Sequence, residues 1–308
     1  MTQPQGQSIN FDRAAPIYDA TRGFPAGVEA DAIAFLAQAG GLTDTSRILE
    51  IGVGTGRISL PLSRYVGVAF GMDISKQMLS RLIEKRSDET LHVAQADATR
   101  LPLPSDHFDA VLVVHVLHLI PNWREALDEL RRVLKPGSAL LMAGGGGWYR
   151  DANIAPLREA FVEASGQDKL SQVGLSWEDQ DDEFTQLGWQ REGERHSFHF
   201  TGMGSPARLI AMYENRVFSS CWPLSDAQVA AGVKAMRALA AERFDDLETE
   251  FEIASEFGVE IYRYHELPSV SSPPPKPAAA QRKPFEPEMV LIPAGPFLMG
   301  SPLSDSLR

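Results

Sequence analysis

Three glycines at alternate positions, Gly52, Gly54 and Gly56, follow the apolar run Arg47–Ile51. Glycine lets the backbone turn tightly there and lets a ligand approach with no Cβ in the way. A dinucleotide fingerprint places Gly at its first, third and sixth positions. Here the glycines fall at one, three and five, and Arg57 takes the sixth. That argues against a nicotinamide dinucleotide and suits an adenosine that carries an amino acid instead of a pyrophosphate. A tight turn with no ligand is the alternative, and two carboxylates weigh against it. Asp73 ends the next apolar run, where it can accept both hydroxyls of a ribose. Asp97, in Ala96-Asp97-Ala98 after the third run, can accept the amino group of an adenine.

Two histidines stand further on, His115 and His118, three positions apart. The spacing invites a metal, but no Cys or carboxylate stands at matching spacing, so none is expected. His118 is a candidate general base, because an ordinary imidazole pKa of about 6.5 suits proton removal near neutral pH. Tyr18 is the second candidate. The alternative for His118 is a pocket-wall residue bonded to backbone. Trp148, Tyr149, Phe218 and Trp222 could line an aromatic, mostly apolar pocket, or simply pack a core.

These residues need a scaffold that brings strand ends together. Apolar runs at Arg47–Ile51, Val66–Met72, His92–Gln95, Phe108–Val114 and Ala139–Ala143 read as strands. Between them, 28–39, 58–65, 76–86 and 122–134 read as helices, the third capped by Ser75. Alternation of this kind implies a mostly parallel sheet with helices on both faces. Beyond Gly144 the order is harder to read. Helices are expected at 155–164, 207–218 and 225–244, and strands at 197–200 and 251–264. This half should complete the sheet and cap its carboxyl edge, where open α/β folds bind ligands.

The order ILEIGVGTGRI, GMDIS, QADATRLPLPSDHFDAV and VLHLIPNWREALDELRRVLKPGS resembles the class I S-adenosylmethionine-dependent methyltransferases of the small-molecule type. The resemblance covers residues 11 to 150 well and continues weakly to about 265. It implies a seven-stranded, mostly parallel, Rossmann-like α/β sheet with one antiparallel strand near its edge and a small helical cap. It also implies that Glu50, Gly52, Gly54 and Gly56 shape the methionine and ribose pocket and that Asp73 holds the ribose. Ile74 and Met78 would flank the adenine, with Asp97 and Ala98 at its edge and His115 beside the methionine part. The upstream FDRAAPIYDATRGFP is similar to the N-terminal segment of many members. By that similarity Tyr18 and Arg22 would close over S-adenosylmethionine, Arg22 near its carboxylate. The expected partner is a small-molecule methyl acceptor.

Composition agrees with such an enzyme. The chain has 308 residues, 44% hydrophobic and 23% charged, ordinary values for a globular protein. A net charge of −12 opposes binding to nucleic acid or anionic membrane. A single cysteine, Cys221, forms no internal disulfide and fits a reducing cytosol. The first residues show no cationic stretch followed by an apolar core, so no secretory signal is expected. The domain boundaries read 1–267 for the methyltransferase domain, with cap elements at about 145–225. Residues 268–287 form a Pro-rich linker, and 288–308 follow it. Within that last stretch EMVLIPAGPFLMG resembles the opening of a formylglycine-generating-enzyme-like, or sulfatase-modifying-factor, domain. Three functions remain open: a methyltransferase, the amino-terminal part of a two-domain enzyme, and a non-catalytic S-adenosylmethionine-binding module.

Overall fold

The computed structural model describes residues 8–145, 151–167 and 173–266. The chain divides into two compact units, Met1–Ser269 and Val270–Arg308. Trp148, Tyr149, the Pro-rich linker and the 288–308 stretch lie outside the described residues.

Five parallel strands form the first part of the sheet: β1 (Arg47–Ile51), β2 (Val68–Asp73), β3 (Leu91–Gln95), β4 (Phe108–Val114) and β5 (Leu134–Gly145). Strand residues alternate between faces. Ile48, Ala110, Leu112 and Val114 therefore join one core, with α2 (Glu29–Ala39), α3 (Ser59–Leu62) and α4 (Lys76–Lys85). Leu49, Ile51, Val111 and Val113 join the other. There α5 (Trp123–Val133) buries Trp123, Ala126, Leu127, Leu130 and Val133, one face at helical spacing.

The far side of the sheet is antiparallel. β8 (Phe251–Tyr264) pairs with β5 and carries two strands on its outer side: β6 (Trp189–Arg191) against Arg191–Trp189's partners Tyr262–Tyr264, and β7 (His196–Gly204) against Phe251–Val259. The order is β3-β2-β1-β4-β5-β8-β6, with β7 also on β8. The expected seventh strand is thus divided in two at residues 192–195, and the sheet counts eight.

Beyond Gly145, β7 and β8 continue together past the carboxyl edge of the parallel strands. A third core sits there, built from α6 (Ala155–Ala164), α8 (Pro206–Glu214) and α9 (Asp226–Arg243). The helical layer therefore reaches residue 243, beyond the expected 225. By contrast α7 (Gln180–Gln186), β6 and most of β7 return to the sheet. Ser225 opens α9 with a capping box to Gln228. Some helices are shorter than their sequence pattern. α3 stops after one turn around Pro61, whose ring permits no amide bond, and α8 ends at Glu214, before Arg216 turns with φ 51°.

Candidate cofactor and acceptor site

A cavity of about 770 Å³ opens at the carboxyl ends of β1, β2 and β4, between the glycine loop, the segment 8–25, the β7–β8 ribbon and the cap. Gly52 and Gly54 line it, with φ 65° and 55°. A Cβ on Gly52 would lie 2.2 Å from Val116 Cγ2, so only glycine lets the β1 and β4 loops meet. A Cβ on Gly54 would meet nothing nearer than the Gly52 carbonyl oxygen at 3.9 Å.

Asp73 ends β2 with each carboxylate oxygen anchored. Gly54 N–H donates to Oδ2 (2.8 Å) and Ser75 N–H to Oδ1 (2.7 Å). Burial raises its pKa against those two bonds. A carboxylate has about four acceptor sites, so lone pairs remain for two hydroxyls. Ile74, Met78, Ala98 and Asp97 line the same cavity. Asp97 is exposed and accepts from Thr99 N–H and Oγ1 through Oδ1.

Glu50 and Gly56 do not line the cavity. Glu50 shares the face of Ile48, under α3, where Ser59 Oγ donates to its Oε2. Burial pushes its carboxyl up to about 8, although Ser59 and Arg57 oppose the shift. Gly56 is a packing glycine: φ is 76°, and a Cβ would lie 2.8 Å from Leu82 Cγ and 2.9 Å from Leu60 Cγ. Both residues hold the loop from behind, so any part they have in shaping the pocket is through the loop.

The segment before α2 is tied to the glycine-loop side. Asp12 Oδ1 accepts from Ser75 Oγ (2.6 Å) and Gln77 N–H (3.1 Å). Asp19 accepts from Thr55 Oγ1 (2.5 Å) and pairs with Lys85 (2.8 Å). On the cap side, Phe11 and Arg13 pack on Trp222, and Arg22 lies 4.8 Å from the centre of the Phe218 ring. Trp222 itself serves this packing, its Nε1–H donating to Arg216 O, and does not line the cavity. Tyr18, Arg22 and Phe218 do. Burial raises the Tyr18 pKa, so its phenol stays protonated near neutral pH.

His115 and His118 both line the cavity. His115 adopts φ 54° at the end of β4, and its Nε2 accepts from Gly145 N–H at 3.0 Å. Burial, with the charge of Arg57 next, pushes its pKa down to about 3. His118 is pushed down to about 4 by burial, and its Nδ1 is buried with no hydrogen-bond partner among the described residues. Trp177 packs on both rings. No local pattern marks Trp177, nor Phe24 under the Arg57 guanidinium; both reach the cavity through long-range packing. Among the described residues no three His, Cys, Asp or Glu side chains gather as they would around a metal ion.

Residues 49–142 match the family described as a methyltransferase domain. The ubiquinone/menaquinone biosynthesis C-methyltransferase UbiE of Azotobacter vinelandii is 35% identical over 115 residues, 35% of this chain and 46% of that protein. UbiE of Pseudomonas entomophila is equally similar, with 45% of its length covered. The matched segment thus spans under half the length of these relatives. Among solved structures, the [4+2]-cyclase SpnF superposes with a TM-score of 0.51 at 17% identity, over 84% of this chain and 97% of SpnF. The YcgJ protein of Bacillus subtilis gives 0.50 at 18% identity, over 76% and 99%. These likenesses show the fold. A fold that also hosts a cyclase does not name a reaction; the family match, the glycine loop and the anchored Asp73 carry the identification. Residues 49–142 thus match a methyltransferase domain on a class I fold, and S-adenosylmethionine is the cofactor this match implies.

Proposed function

We propose that this protein transfers a methyl group from S-adenosylmethionine to a small, mostly apolar acceptor by in-line displacement. The observation that carries the reading is the continuity of one cavity. It runs from Gly54 and Asp73 to Leu209, Met212 and Ile253 of the cap side, so cofactor and acceptor ends share one enclosure.

Bound there, S-adenosylmethionine supplies a methyl group already activated by its sulfonium. The protein's part is alignment. Asp73 holds the ribose hydroxyls, Ile74 and Met78 flank the adenine, and Asp97 with Ala98 meets its edge. Arg22 offers its charge to the cofactor carboxylate. Tyr18 and the rest of the segment 8–25 exclude water. His118, neutral near pH 7, takes a proton where the acceptor must lose one. The relatives' name, C-methyltransferase, makes a carbon nucleophile one acceptor to include in an assay.

The net charge of −12 supports a small molecule over nucleic acid or a membrane surface, and the single cysteine supports a cytoplasmic setting. No helix among the described residues is long and apolar enough to cross a membrane. For the whole chain, the reading is a methyltransferase domain at 1–267, a linker at 268–287 and the start of a sulfatase-modifying-factor-like domain at 288–308. Under it the protein is the amino-terminal part of a two-domain enzyme, which a reading frame continuing past Arg308 would test.

The test of the main reading is turnover. Protein incubated with labelled S-adenosylmethionine and a fractionated metabolite extract should form S-adenosylhomocysteine and one labelled product. Tight cofactor binding with no turnover on any fraction would instead mark a non-catalytic module.

A further inference from the structure

Gly144 and Gly258 are cross-strand partners on β5 and β8. Directly opposed residues of an antiparallel pair point to the same face, and here two side chains occupy the space that two Cβ atoms would fill. A Cβ on Gly258 would lie 2.2 Å from Arg195 Nε and 2.3 Å from its Cζ. A Cβ on Gly144 would lie 3.0 Å from His115 Cε1. The Arg195 guanidinium and the His115 ring therefore share one face, over one glycine pair.

They also share one peptide unit. Arg195 Nη2 donates to the Gly144 carbonyl at 3.2 Å, and the amide of the same unit, Gly145 N–H, donates to His115 Nε2 at 3.0 Å. A cation on the carbonyl polarises an amide and strengthens its N–H as a donor. A ring nitrogen that accepts such a bond has no hydrogen, so the hydrogen of the neutral imidazole sits on Nδ1. Glu256 and Glu260, both 3.4 Å from Arg195, hold the guanidinium.

We propose that Arg195 is a positioning residue that acts through the Gly144–Gly145 peptide to fix His115 as the neutral Nδ1–H tautomer. His115 is then a hydrogen-bond donor in the cavity and not a base. The bound group that meets it is an acceptor, such as a carboxylate or carbonyl oxygen, and not an ammonium. Burial first, then the charges of Arg57, His118 and Arg22, with Arg195 last, depress the His115 pKa and keep the ring neutral. The methyltransferase reading enters only in naming what occupies the cavity; the tautomer is a property of the protein by itself.

The test is long-range ¹H–¹⁵N correlation on protein labelled at its seven histidines, without cofactor or acceptor, the His115 ring assigned by its loss in His115→Gln. In the wild type, Nδ1 should resonate as a protonated and Nε2 as an unprotonated nitrogen. Arg195→Met should lose that pattern, with Nε2–H or a tautomer mixture appearing while the other six rings stay put. Arg195→Gln, closer in shape, is the second variant should Met not fold, and is expected to show the same loss. Glu260→Gln, which removes an ion pair of Arg195 but not its bond to Gly144, should keep the wild-type pattern. A wild-type Nε2–H tautomer, an unchanged pattern in the folded Arg195 variants, or an equal loss in Glu260→Gln overturns the proposal. None of these outcomes depends on methyl transfer, so failure here is separable from failure of the proposed function.

Discussion

Glu50 shows how a carboxylate two residues before a cavity-lining glycine can serve the fold. Its carboxyl titrates at about 8 in the folded protein, against an ordinary 4.5, because burial disfavours the charge. The folded state thus keeps a proton that the unfolded chain releases. Stability from this source is full below about 4.5, falls as pH rises, and is gone above about 8. Each pKa unit is about 1.4 kcal/mol, so the effect reaches a few kcal/mol. Glu50→Gln should raise the melting temperature relative to wild type at pH 9 and change it little at pH 4.5, as scanning calorimetry at both values would read. His118 carries the catalytic expectation. With its pKa near 4, a base at this position would leave an acidic limb near pH 4 in the rate profile, well below an ordinary imidazole. His118→Gln should lower kcat at least about a hundredfold, spare cofactor affinity and abolish that limb. A loss under about tenfold with the limb intact would return His118 to the pocket wall, leaving alignment as the protein's whole contribution.

Among the elements, the glycine loop separates two jobs that the spacing of its residues does not distinguish. Gly56→Ala must take a left-handed φ and push its Cβ into Leu60 and Leu82, a combined cost of about 2–4 kcal/mol. Gly54→Ala meets only the φ cost, about 1–2 kcal/mol, but places a methyl at the cavity surface. Gly56→Ala should therefore lose more melting temperature, and Gly54→Ala more cofactor affinity; equal losses of both in the two variants would contradict the division. The parallel strands were legible because each is a short local apolar run, three of them closed directly by Gly or Asp (Gly52, Asp73, Gly144), and the faces followed from alternation. β6 was not legible. It has three residues, and its partners, Tyr262–Tyr264, lie about seventy positions away. α1 (Tyr18–Arg22) and α7 were likewise hidden, being short elements with few buried residues of their own. The strand-end residues of the cavity, Gly52, Gly54, Asp73, Asp97 and His115, could be named from the sequence, whereas the cap and β7–β8 lining, Trp177 and the Arg195–Gly144–His115 arrangement arise only when the far side of the sheet folds back on β5.

At the scale of the whole molecule, the unit Met1–Ser269 contains every described core and the cavity. A chain ending at Leu267 should keep its melting temperature within a few degrees and its cofactor affinity unchanged, measured side by side with the full chain. Precipitation or lost binding would show that the domain needs the residues beyond. If the cavity holds S-adenosylmethionine through Asp73, calorimetric titration reads that contact. Each charged hydrogen bond is worth ~1.5–3 kcal/mol, so two hydroxyl contacts support a loss of at least about tenfold. Wild type should bind S-adenosylmethionine and S-adenosylhomocysteine at one site per chain and ignore NADH. Asp73→Ala should bind both at least about tenfold more weakly with an unchanged melting temperature in the absence of cofactor. Binding of equal strength in the variant, or none in the wild type, would contradict that contact.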